Sequence, residues 1–259
     1  MQKNLNDLNN LDNLFSNEKR MSFFEHLEDL RKAIIICSLT LIFFSIICFY
    51  FREKIFFILI KPLEINNIKL VYLSPAETFI SMVKISLTLA FCLTLPIILN
   101  RLYWFISPAL TKKEKLIISP IFIIAYSLFI LGIIFSYYFL LPFGIKFLID
   151  FSPSNVIAMI SMDKYISFAL SLLACTGLIF LLPIILVFLS IFNIINLKIL
   201  TENRHYAILI SFILSAVITP SVDIFTQTIL AITLYLLYEF SIITIKIIKK
   251  KDKISLTWD

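Results

Sequence analysis

Between residues 33 and 247 the chain returns repeatedly to apolar stretches of the length that crosses a bilayer. They fall at about 33–51, 79–99, 116–141, 165–192, 206–219 and 226–247. A hydrocarbon core about 30 Å thick needs roughly 20 helical residues, and a helix satisfies its own backbone polar groups where no water can. Composition agrees: of 259 residues, 60% are hydrophobic and 15% charged, too few polar groups to coat a soluble domain. The expected fold class is an all-α polytopic membrane protein with six transmembrane helices and both termini on one side.

Basic residues in the connecting segments set the orientation. The termini side carries Lys3, Lys19, Arg20, Arg31 and Lys32, then Arg101, Lys112, Lys113 and Lys115. It continues with Lys198 and Arg204, and ends with Lys246, Lys249, Lys250, Lys251 and Lys253. The opposite side has Arg52, Lys54, Lys61, Lys69, Lys146 and Lys164. Both termini are therefore expected to be cytoplasmic, or stromal or matrix-facing in an organelle.

The fifth run is short for a crossing, since fourteen residues at about 1.5 Å each reach only about 21 Å. "ITPSVDIFTQ" then turns back, with Pro220 ending the helix. Helices 5 and 6 are expected to be short, a hairpin that a locally thinned bilayer can accommodate.

Three regions follow: a disordered polar N-terminal tail over 1–21, a six-helix membrane domain over 22–248, and a basic cytoplasmic tail over 249–259. The first tail is Asn-rich and has no apolar core of the kind a signal peptide needs. Cys37, Cys48, Cys92 and Cys175 all lie inside apolar runs without CxxC spacing, which favours embedded thiols over disulfides or metal ligands.

Directly before the first run stands "SFFEHLEDLRKA", residues 22–33, with three acids on a positive-inside surface. Ser22 and Glu25 form a capping-box pattern, predicting a helix from Phe23. Glu25, Glu28 and Asp29 share one face of it, and Phe24, Leu27, Leu30 and Ile34 form an apolar stripe on another. Acids in a first turn also complement the helix dipole, an ordinary explanation that suits Glu25 better than Asp29. Glu114, among Lys112, Lys113 and Lys115, reads either as a solvated loop charge or as a second carboxylate on Asp29's side. Two such carboxylates would suit guanidinium groups, which arginine presents as a planar fork and lysine does not.

Other ionisable groups lie near or within the bilayer: Glu77 and Lys84, seven residues apart on one helical face, and Glu239 late in the sixth helix. Such groups face a protein interior or a watery cavity, or lie at the interface; Lys84 is also long enough to snorkel. His26 and His205 have no ligand-spaced partners, and the chain has no Gly-rich phosphate loop and no arguable Ser/His/Asp grouping. No enzyme, cofactor, metal site or nucleic-acid partner is expected.

Several segments together are similar to a known family. "HLEDLRKA" resembles the N-terminal signature of the TatC family, the multi-spanning C subunit of the twin-arginine protein translocase. "KPL" at 61–63, "SPAETFISMVKISL" at 74–87, "LPIILNRLYWFISPALTKKEK" at 95–115 and "SYYFLLPFGIKFL" at 136–148 follow in order. "TGLIFLLP" at 176–183 and "ITPSVDIFTQTILAITLYLLYE" at 218–239 complete the series.

The resemblance implies a receptor and scaffold for protein export, binding twin-arginine signal peptides of folded cargo at its cytoplasmic face. It implies that Asp29 and Glu114 carry recognition, with Arg31, Phe105, Pro108 and Leu110 as further signal-peptide positions. Pro62, Glu77, Lys84, Pro96, Leu181, Asp223, Gln227 and Glu239 are the matching structural or partner positions. It also implies single-span partner subunits of the TatA and TatB type, other copies of the chain itself, and drive by the proton-motive force. The membrane would be a bacterial inner membrane, or a thylakoid or mitochondrial inner membrane. Three departures stand out. Leu181 replaces a common Glu or Gln, "NR" at 100–101 replaces Tyr-Gln, and Asp223 sits one residue further from its Thr-Pro than usual. A secondary transporter using Lys84, Glu77 and Glu239 is the alternative; such folds favour internal repeats, and none is evident between the two halves.

Overall fold

The computed structural model describes residues 23–64, 70–107, 112–150, 159–192, 194–219 and 223–255, with side chains omitted at 23–25, 64, 112–120 and 249–255. The tail 1–21, Ser22, Pro108, Leu110 and Pro220 lie outside the described residues.

The described chain is almost wholly helical. In order come α1 (Phe23–Tyr50), α2 (Arg52–Glu64), a two-residue β1 (Leu70–Val71), α3 (Pro75–Ile106) and α4 (Lys112–Phe135). A π-turn (Ser136–Leu140) leads into α5 (Leu141–Asp150), then β2 (Ile160–Ser161), α6 (Met162–Ile179) and α7 (Leu182–Ile191). Last are α8 (Leu197–Glu202), α9 (Arg204–Ile218) and α10 (Ile224–Ser255). Five segments are long and apolar enough to cross a membrane: His26–Tyr50, Pro75–Ile106, Ile121–Asp150, Met162–Ile191 and Ile224–Ile248. A shorter apolar helix, Arg204–Ile218, stands between the last two. This is a multi-pass membrane protein.

Of the two helices expected to be short, only the fifth apolar helix is. Its 15 residues extend about 22 Å. α10 has 32 residues, because the Lys-rich sequence after Ile248 continues the helix instead of stopping it; lysine is a good helix former.

Prolines punctuate the long segments, and each leaves a backbone carbonyl without its helical donor. Pro62, buried near the end of α2, cannot donate to Ile58; the Tyr137 hydroxyl donates to that carbonyl instead, at 2.7 Å. The neighbouring Leu59 carbonyl accepts from Tyr165 Oη at 2.6 Å. Immediately before Pro142, the ladder widens to an i→i−5 bond from Leu141 N–H to Ser136 O, the local adjustment expected next to a helix-breaking residue. Pro183 separates α6 from α7, and the turn between them tightens to a Leu181 N–H to Leu178 O bond of 3.0 Å.

Two of the chain's three glycines meet where α4 crosses α6. A Cβ on Gly132 would lie 2.8 Å from Phe180 Cγ and 3.0 Å from Gly177 Cα, so only hydrogen fits there. The small-residue contact common between membrane helices is thus present without a GxxxG spacing.

The largest core gathers Leu63, Ile85, Leu140, Ile166, Leu172 and Leu230 toward the end that holds α2 and the β pair. β1 and β2 pair in parallel, Leu70 with Ile160 and Val71 with Ser161, tying together the two segments that connect helices at that end. A smaller core, with Ile121, Val187, Leu200, Ile242 and Ile245, lies toward the other end.

Candidate functional site

The acidic stretch of the sequence occupies the first turns of α1. The better-covered residues of this helix recur as His26, Asp29, Ala33, Ile36, Thr40 and Phe44, down to buried Cys48. That 3–4 spacing is one helical face, and α1 packs chiefly on α3. The predicted stripe of Leu27, Leu30 and Ile34 is exposed: those residues face away from α3, where lipid and the membrane surface can cover them.

His26 and Asp29 therefore stand at one end of the α1–α3 seam. The His26 imidazole stacks on the Phe105 ring, with centroids 4.0 Å apart and planes at 16°. This contact joins the "HLEDLR" segment to the last turn of α3, and sequence reasoning had set His26 aside as an isolated residue. The i, i+3 relation of His26 to Asp29 was the available signal; its partner 79 positions away was not.

The three acids separate physically. Glu28 is held by Lys32 one turn on, Oε1 to Nζ 3.0 Å. Among the described residues, the half-buried Asp29 carboxylate makes no hydrogen bond or ion pair. Glu25 has no described side chain. Arg31 is exposed on the outer face of α1. Glu114 belongs to the first turn of α4, whose side chains there are not described, so the structure does not report its distance from Asp29.

Beneath Phe105, Pro96 interrupts α3 and lines a cavity of about 340 Å³ with Asn100, Tyr103, Phe122, Ile123 and Tyr126. The Tyr103 and Phe122 rings meet edge-on at 5.3 Å, seating α3 on α4.

The other charged positions are engaged elsewhere. Lys84 does not snorkel to solvent but bonds Asp163 Oδ1 at 2.6 Å and Ser167 Oγ at 2.9 Å. Ser81 also donates to Asp163, at 3.2 Å. Glu77 accepts from the Ser161 hydroxyl, from Asp163 N–H at 3.0 Å and from Leu73 N–H at 2.7 Å. This network braces the β pair against α3 and α6; Asp163, its hub, was not singled out by sequence because a charge after "MISM" looks like ordinary loop.

Glu239 pairs with Arg204 Nε at 3.0 Å and accepts from Tyr235 Oη at 3.1 Å, fastening α10 to the start of α9. Asp223, buried just before α10, accepts from the backbone N–H of Thr226 at 2.8 Å and from its hydroxyl, a helix N-cap arrangement. Gln227 reaches the Phe212 carbonyl at 3.5 Å, a long contact between α9 and α10. Leu181 sits in the break between α6 and α7 and packs against Cys92, Leu95 and Phe129. A polar residue is absent there, and the surroundings are apolar.

Among the described residues, no group of three or more His, Cys, Asp or Glu is placed to hold a metal ion. The described geometry is a half-buried carboxylate one helical turn from a stacked His–Phe pair, at the end of two long helices.

The family model for Sec-independent protein translocase protein (TatC) matches residues 25–233. A Sec-independent protein translocase protein TatC from Carboxydothermus hydrogenoformans is 38% identical over 235 residues, 91% of this chain and 97% of the relative. An uncharacterized tatC-like protein, ycf43, from Gracilaria tenuistipitata var. liui is 40% identical over 230 residues, 89% of this chain and 96% of the relative. The fold is similar to a crystal structure of the twin arginine translocase receptor TatC in DDM, with a TM-score of 0.76 and 38% identity. That likeness covers 85% of this chain and 99% of the other. With the recurrent spanning helices and the ordered motifs, these matches place the chain in the TatC family of Sec-independent protein translocase proteins, membrane components with a role in protein transport.

Proposed function

We propose that the end of the molecule carrying His26, Asp29 and Phe105 is the cytoplasmic receptor face for twin-arginine signal peptides of folded proteins. The observation that carries this reading is the division among neighbouring acids: Lys32 ion-pairs with Glu28 at 3.0 Å, while among the described residues the Asp29 carboxylate makes no hydrogen bond or ion pair and feels Lys32 only as a weaker, more distant charge. A carboxylate at a membrane surface that forms no ion pair with a described residue is suited to a guanidinium brought from outside. Glu114, on α4 just beyond the α3–α4 link, is the second carboxylate. The family resemblance adds Arg31, Pro108 and Leu110 as further signal-peptide positions. A related solved structure is described as a twin arginine translocase receptor, and its similarity to this chain supports the reading.

In this proposal α9 makes a sixth, short crossing, so both termini are cytoplasmic and the tails 1–21 and 249–259 flank the membrane domain. The chain organises single-span partner subunits and further copies of itself, and the proton-motive force drives export without nucleotide. Asp29→Ala and Glu114→Ala are each expected to weaken photocrosslinking to a twin-arginine signal peptide by about 1–3 kcal/mol in affinity. A Lys-Lys peptide should bind poorly to the unaltered chain, since lysine lacks the bidentate fork. If both variants capture the Arg-Arg peptide like the unaltered chain, these carboxylates are not the receptor.

A further inference from the structure

We propose that His26 is a positioning residue for the signal-peptide site: stacked on Phe105, its ring fixes the roll of α1 and so sets the direction of the Asp29 carboxylate. The inference rests on the receptor reading of that face and goes beyond it by assigning a residue that does not itself bind the peptide.

Asp29 lies in the second turn of α1, with the membrane run beginning only four residues later. No hydrogen bond or ion pair to a described residue restrains its side chain, and Lys32 acts on it only as a more distant charge. Its direction therefore depends on the backbone, and on what stops α1 from rotating about its own axis. Further along, the covered face of α1 is made by Ala33, Ile36, Thr40, Phe44 and buried Cys48, and the Thr40 hydroxyl bonds within α1, to Ile36 O at 2.9 Å and Cys37 O at 3.0 Å. At the end where Asp29 sits, the flat contact of His26 on Phe105 is the ring contact between α1 and α3 among the described residues. Rings at 4.0 Å and 16° resist both rotation and separation. A turn of helix carries that restraint to position 29, because i and i+3 share a face. Among the other described charged groups of this segment, Glu28 and Lys32 pair with each other on the exposed side, Arg31 is exposed, and the attraction of Lys32 for Asp29 is the weaker of its two.

The test measures binding of a fluorescent Arg-Arg signal peptide to the full chain in bilayer nanodiscs. His26→Ala should weaken binding about fivefold, the scale of a stacked aromatic pair. His26→Phe, which keeps a flat ring, should bind within about twofold of the unaltered chain. His26→Leu keeps apolar bulk without a ring to stack and should weaken binding like Ala, which covers the case that His26→Ala does not fold. In the Asp29→Asn background, His26→Ala should add little, since a residue acting through Asp29 loses its effect when the carboxylate is gone. Additive losses, failure of His26→Phe to restore binding, or normal binding by His26→Leu would overturn the proposal. If Asp29→Asn weakens binding but His26→Ala does not, the positioning role alone fails. If Asp29→Asn binds normally, the receptor reading fails and the positioning role falls with it.

Discussion

At one end of the helices Glu77 and Asp163 are met by five donors from the protein itself; at the other, Asp29 is met by none of the described residues. The first pair sits beside the largest core and the small β pair, where two connecting segments must be held to α3 and α6. Both Glu77 oxygens and Asp163 Oδ1 accept hydrogen bonds there, as suits charged groups near a bilayer, which usually pair or face water. Asp29 lies on the seam between α1 and α3, and its carboxylate makes no hydrogen bond or ion pair with a described residue. Acids tied into the architecture and an acid without a hydrogen bond or ion pair among the described residues distinguish a brace from the proposed docking point, although both read as charged residues beside apolar runs.

The braced end depends on α6 being set correctly, and the closest test of that is its crossing with α4. Gly132→Ala places a methyl group 3.0 Å from the Gly177 backbone and 2.8 Å from the Phe180 ring. The backbone cannot yield as a side-chain tip can, so stability should fall by about 1–3 kcal/mol, seen as a lower thermal unfolding midpoint in detergent. Peptide affinity per folded molecule should hold.

Asp163→Ala should be milder. It strands Lys84 and removes the acceptor for Ser81, but the paired side chains are 39% and 31% exposed, so water offsets much of the loss. About 1 kcal/mol of stability is expected, again with unchanged peptide binding. A large loss of binding would mean the two ends are coupled and would break the comparison.

At the open end, binding of an Arg-Arg peptide should weaken as salt rises, because the Debye length falls to about 8 Å at physiological ionic strength. Titrations at two salt concentrations check this. The smallest effect belongs to Glu28→Gln. Lys32 and Glu28 are 62% and 61% exposed, and such pairs contribute little, so neither stability nor peptide affinity should change measurably. A loss of affinity matching that of an Asp29 variant would erase the distinction between the two acids.

The helices were legible in the sequence because a spanning segment has to be apolar over nearly its whole length, whatever it packs against. The short fifth apolar helix was legible for the same reason, since 206–219 has too few apolar residues for a full crossing. α2 was missed: "REKIFFILIKPLE" opens with charges and carries a proline, and its helix depends on Tyr137 and Tyr165 answering carbonyls near Pro62. The length of α10 was missed because hydropathy ends at Ile248 while helix propensity does not. In the candidate site, position and charge were readable, but partners were not. Lys84 meets Asp163 across 79 positions and His26 meets Phe105 across 79, and no local periodicity encodes either contact. Leu181 was recognised as a departure, and its apolar neighbours Cys92, Leu95 and Phe129 became visible only in the fold.

The central proposal is that Asp29, which makes no hydrogen bond or ion pair with any described residue, receives an arginine from a signal peptide. The most direct measurement titrates one Arg-Arg signal peptide into the full chain in nanodiscs, comparing Asp29→Asn with Asp163→Asn. Both variants remove a single carboxylate charge and nearly nothing else. Asp29→Asn should bind at least about tenfold more weakly, as loss of a charge-assisted pair requires, while Asp163→Asn should bind like the unaltered chain. Equal affinity of the two variants would contradict the account.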